Sequence, residues 1–139
     1  MRWQKLTLKN TDITLTLTTV QHAEGTQKFT VSHPARLDCK NGTYYITYTD
    51  SERNIIVIKP DSVRLSKPDS QSALVFEQSH EHVSNYMTPA GKMSVSVFTH
   101  KLLNNFESEK RIFIKYRLTF NGGAWTDNDL TIKTEEKRK

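Results

Sequence analysis

The residues of this chain that could do chemistry are five histidines, one cysteine and a scatter of carboxylates and hydroxyls. His80 and His82 flank Glu81 in "SHEHV", and on a strand the i and i+2 side chains share a face, so two imidazoles could meet one metal ion. No further ligand is evident, because nothing in the pattern gathers His22, His33 or His100 beside them. The histidines therefore read as polar surface groups, and no metal is assigned. Cys39 in "ARLDCK" has no second cysteine for a disulfide or a metal knuckle, and it alternates with Leu37 in the manner of a small core residue. Asp127 and Asp129 in "WTDNDL" could act as an acid and base pair if the fold made them converge, but a surface turn explains them equally well. Serines and threonines are plentiful, yet there is no G-x-S-x-G elbow. The five glycines stand singly apart from Gly122-Gly123, so no phosphate-cradling loop exists and nucleotide enzymes are excluded. No catalytic residue and no cofactor are assigned.

Bulk properties narrow the field further. At 139 residues the chain has room for one domain with its own core. Hydrophobic residues make up 35% and charged residues 25%, lean on apolar content but above the disordered regime. No apolar run approaches the length that crosses a bilayer, and the first twenty residues lack a signal-peptide core; a cytoplasmic protein without a membrane partner is expected. The net charge of +5 and the pI of 9.4 invite a nucleic-acid reading. A basic strip of Lys110, Arg111, Lys115 and Arg117 would carry it, although Glu107 and Glu109 stand beside it and solvated surface charges are the plainer account.

Those groups must be positioned by strands. Period-2 alternation recurs with β-branched and aromatic enrichment: "ITLTLT" puts Ile13, Leu15 and Leu17 on one side, and "RIFIKYRLTF" puts Ile112, Ile114, Tyr116, Leu118 and Phe120 on one face. Asn41-Gly42, Asn121-Gly122-Gly123 and Thr88-Pro89-Ala90-Gly91 read as hairpin turns, too short for parallel crossovers. Pro34 belongs at a bulge, an edge or a strand break. "HKLLNNFESEK" suits a short helix as well as a strand.

The expectation is an all-β, antiparallel, mostly up-and-down closed barrel of about 8–10 strands over residues 12–134, with a charged tail at 135–139. Leu15, Leu17, Phe29, Val31, Ile46, Phe76, Val97, Ile112 and Ile114 are among the residues expected to fill it. An eight-stranded barrel is either just filled or holds one small ligand. Tyr48, Tyr86 and Tyr116 are the residues expected near a mouth or cavity, since their rings cover apolar surface while their hydroxyls seek partners.

The segment "LVFEQSHEHVSNYMTPAGKMSVSVFTHKL", Leu74 to Leu102, is similar to the stretch that marks the YwiB-like family of bacterial proteins of unknown function. Phe76, Glu77, Tyr86, Thr88, Pro89, Gly91 and Thr99 carry the resemblance, and "GTYYITYTD" and "IFIKYRLTFNGG" extend it. Two positions depart from the family pattern: Ala90 stands where an aromatic is usual, and Ser66-Lys67-Pro68 where an Arg-x-Gly is usual. The resemblance implies a calycin-like, lipocalin-like barrel, tips residues 101–107 towards strand, and brings no established activity with it. The expected function is non-enzymatic: binding of a small apolar ligand in the barrel, or presentation of a surface to a partner, with a nucleic-acid or acidic-protein module on the basic strip as the alternative.

Overall fold

The computed structural model describes residues 11–136, apart from the side chains of Tyr86 and Met87. Ten strands follow in order: β1 (Thr11–Ala23), β2 (Gly25–Lys40), β3 (Thr43–Thr49), β4 (Arg53–Lys59), β5 (Ser62–Lys67), β6 (Ser72–Phe76), β7 (Glu81–Thr88), β8 (Gly91–Asn105), β9 (Arg111–Phe120) and β10 (Trp125–Glu136). A 3-10 turn at Pro68–Ser70 joins β5 to β6, and a single helical turn, α1 (Phe106–Glu109), joins β8 to β9. All ten strands form one antiparallel sheet in the order β6-β5-β4-β3-β2-β1-β10-β9-β8-β7. Chain neighbours are therefore sheet neighbours except at β6 and β7, the two ends of the order, and the first and last strands pair with each other, His22 opposite Asp127 and Ile13 opposite Glu136.

The turns set this register. Asn41 and Gly42 take φ of 52° and 81°, the paired positive values that a type I′ hairpin demands, and Asn121 and Gly122 repeat the device at 50° and 70°. Thr88 faces Gly91 at the tip of the β7–β8 hairpin, as the sequence suggests. The Thr88 hydroxyl donates to the Gly91 carbonyl at 2.7 Å and accepts from the Ala90 amide at 3.2 Å, so this cluster is a turn held by its own threonine.

The sheet curls until β6 and β7 lie side by side, giving an all-β barrel that is nearly closed. The ladder itself stops at this seam, which is bridged by the Ser84 hydroxyl donating to the Ala73 carbonyl at 2.9 Å. Closure is incomplete because the β6–β7 connection is drawn onto β8: the Ser79 amide donates to Thr99 O at 2.7 Å and the Thr99 amide to His80 O at 3.3 Å.

Inside one end of the barrel, Ile13, Leu15, Ile46, Ile56, Ile58, Val63, Phe76, Ile112, Ile114 and Ile132 are fully buried. Phe106 plugs the same core from α1, edge-on to Tyr44 at 4.8 Å. The "HKLLNNFESEK" ambiguity thus resolves into both elements: strand to Asn105, then one helical turn that Lys110 ends in the left-handed region, φ 56°.

Two core assignments are corrected. Phe29 and Val31 are 52% and 49% exposed, because β2 pairs with β3 only from Arg36 to Lys40, leaving Gly25–Ala35 bonded to β1 alone. Pro34 sits on that open edge, where its missing N–H breaks no ladder. Cys39 is half-buried on β2. β10 runs through Glu135 and Glu136, the first two residues of the expected tail; residues 137–139 lie outside the described residues. Among the described residues no helix is long and apolar enough to cross a membrane.

Candidate functional site

Where the packed core ends, the inner faces of β3 to β6 line an open groove of about 390 Å3, bounded by Tyr48, Asn54, Leu65, Lys67, Ser72 and Leu74 among others. Register builds it: Tyr48 lies opposite Asn54, Ile56 opposite Leu65, Leu65 opposite Leu74, and Lys67 opposite Ser72, so the strands deliver alternate side chains to one wall. The lower part of that wall is apolar and the rim is polar.

The rim is a closed network. Asn54, only 4% exposed, donates from Nδ2 to Asp50 Oδ1 at 3.0 Å and to Glu52 O at 2.9 Å, and its Oδ1 accepts from Lys67 Nζ at 2.7 Å. Lys67 also pairs with Asp50 Oδ2 at 3.3 Å. The Glu52 amide holds the Asp50 carboxyl well below the usual carboxylate range, with Asn54 and Lys67 adding to it. Tyr48 stacks on His33 at 4.8 Å and 25°, and burial, followed by the Asp50 charge, raises its phenol. The charges at this mouth are thus spent on one another, leaving an apolar slot with a neutral phenol at its lip.

Of the three tyrosines expected at a cavity, Tyr48 lines this groove. Tyr116 is 6% exposed, packed edge-on to Phe76 at 4.7 Å, and burial pushes its phenol up to about 12. Beside it on β8, opposite Tyr116, the fully buried Thr99 hydroxyl finds no partner among the described residues. The side chain of Tyr86 lies outside the described residues; its backbone pairs with Met93.

The other candidates divide: His80 and His82 take separate partners, whereas His22, His100, Lys115, Asp127 and Asp129 line one open pocket of about 450 Å3. His82 meets Glu77 at 3.1 Å and His80 Nδ1 lies 2.9 Å from Gln78 O. Among the described residues no three His, Cys, Asp or Glu side chains are placed to hold a metal ion. Asp127 and Asp129 are not in a turn but on β10, facing outward. Asp127 takes two hydrogen bonds from Arg117, at 2.8 and 3.1 Å, which lower its carboxyl, and Asp129 meets Lys115 at 3.3 Å and His22 at 3.2 Å. Of the basic strip, Lys115 and Arg117 are therefore neutralised, Lys110 lies over the Phe106 ring and donates to Glu107 O, and Arg111 stays exposed at the start of β9.

Sequence reasoning missed the Asp50–Asn54–Lys67 network and the stacking of Arg117 on Trp125 at 3.8 Å. The second was within reach, since folding the hairpin about Asn121-Gly122 sets Arg117 opposite Asp127 and diagonal to Trp125. The first needs two hairpins at once, β4–β5 to bring Lys67 beside Asn54 and the β3–β4 turn to bring Asp50 to both.

Comparison with solved structures gives a similar fold in the crystal structure of ywiB protein from Bacillus subtilis, at 16% identity and a TM-score of 0.78, covering 98% of this chain and 99% of that one. At that identity the likeness speaks for the fold. No curated protein matches. The sequence profile described as "Domain of unknown function (DUF1934)" spans residues 13–132, from the first buried isoleucine of β1 to the last of β10, and the chain belongs to that family.

Proposed function

We propose that this protein is a binding protein, not a catalyst, and that it takes a small, largely apolar ligand into the groove at the mouth of the barrel. The observation that carries this reading is the groove itself: about 390 Å3 of open space over Leu65 and Leu74, with Tyr48 at the lip. That volume lies within the range of small-molecule sites, roughly 300–1,000 Å3, and an apolar wall with a few fixed polar groups is their usual chemistry. The internally satisfied rim favours a ligand without a net charge, for a charged group would have to displace Lys67 or Asp50 from its partner. The calycin-like character of the barrel adds only an analogy of fold.

A nucleic-acid module on the basic strip is the weaker reading, because Lys115 and Arg117 already carry carboxylate partners. Native mass spectrometry of the protein purified from its own host tests the first reading, followed by titration with a neutral fluorescent lipid probe. Saturable binding that Leu74→Glu abolishes and Trp125→Ala leaves intact is expected. No retained mass together with unsaturable probe binding would remove the reading.

A further inference from the structure

The unpaired edge of β2 offers a second, independent surface. From Gly25 to Ala35 its only ladder partner among the described strands is β1, although the His33 ring stacks on Tyr48 of β3, so eleven residues, roughly 35 Å at strand rise, present one row of unladdered backbone groups interrupted at Pro34. Such edges are ordinarily blunted by charge, shortness or a bulge. This one is long, carries Lys28 as its single formal charge, and exposes Phe29 and Val31 on the face that turns inward further along the same strand.

We propose that this edge pairs with the same edge of a second copy, antiparallel about a two-fold axis through Thr30. An axis perpendicular to the sheet matches each face with itself, so residues of like parity must meet. With the axis at Thr30, Phe29 of each copy faces Val31 of the other, Lys28 faces Ser32, Gln27 faces His33, and Thr26 faces Pro34. An axis through Lys28 would oppose two ammonium groups, and one through Phe29 would leave Val31 against Gln27. The Thr30 register sets each of the four apolar side chains directly opposite another and opposes no like charges. It also ends at Pro34, which has no amide to offer. The paired edges extend each nearly closed barrel into a sheet continuous across two chains.

Sedimentation equilibrium of the full chain tests this. Wild type is expected at twice the chain mass, with Phe29→Glu and Val31→Lys each dropping to the chain mass while their circular dichroism spectra stay those of a folded β protein and their melts lose the concentration dependence of the wild type. Mixing the two variants is expected to restore the doubled mass, because the proposed register sets the carboxylate introduced by the first directly against the ammonium introduced by the second. A monomeric wild type overturns the proposal, as does a dimer that both variants leave intact or a mixture that stays at the chain mass. The outcome does not depend on the groove, and Leu74→Glu is expected to stay dimeric.

Discussion

Phe76 and Phe29 share one face of one continuous sheet, yet the first is fully buried and the second is half exposed. Phe76 lies on β6, opposite Val63, with Tyr116 packed against its ring from across the barrel. Phe29 lies opposite Thr19 on the part of β2 that β3 does not reach. The same alternation thus yields a core where strands surround the side chain and an open surface where they run out. Half of this barrel is built for stability, and the other half leaves apolar groups available.

The sharpest break in that contrast is a matched pair of truncations. Phe76→Ala should cost about 3–5 kcal/mol, whereas Phe29→Ala in dilute protein should stay within about 0.5 kcal/mol, both read from urea midpoints at constant slope. Equal losses would mean that the Gly25–Ala35 part of β2 is packed.

Tyr116 sharpens the comparison from the packed side. Its folded phenol is raised to about 12, above the ordinary value of about 10, so the unfolded chain gives up the proton first as pH rises. The linked stability is intact below about pH 10 and drains away towards pH 12, on the order of 2–3 kcal/mol in all. Tyr116→Phe should remove that alkaline loss, and spectroscopic titration should show a late-ionising tyrosine in the wild type that the variant lacks.

At the rim of the groove, Asn54→Ala would strand Lys67 and Asp50 beside a buried gap and should cost about 1–3 kcal/mol in chemical denaturation. Asp50 has the opposite pH sign from Tyr116: its carboxyl is lowered in the folded chain, so the stability it lends is present above the unfolded value of about 3.9 and fades as acid protonates it. Asp50→Asn should flatten stability below pH 4, roughly the point where free aspartates begin to protonate. The smallest effect is expected at the β2–β3 turn. Gly42→Ala, at φ 81° with open space around its Cα, should cost about 1 kcal/mol through backbone strain alone, read as a small drop in melting temperature.

Much of this architecture was legible in the residues. Alternation in "ITLTLT" and "RIFIKYRLTF", with Asn-Gly turns between runs, dictates antiparallel hairpins, and a meander of that many strands has to curl. The amphipathic character of tyrosine did not distinguish Tyr48, which borders the groove, from Tyr116, which is buried in the core. Phe29 and Val31 were misplaced because alternation tells which residues share a face but not how many strands cover it. The partition of the histidines and aspartates was hidden for a related reason: His22 meets Asp129 only because the two ends of the chain pair.

Strand content, turn positions and hairpin order can thus be read from the residues, because each depends on neighbours a few positions apart. Tertiary structure decided where the ladder stops, at the seam between β6 and β7 and along the edge of β2, and so which apolar side chains face one another and which face water. The physical reason is that burial is set by what lies across the barrel, and no local pattern encodes a distance to the opposite wall.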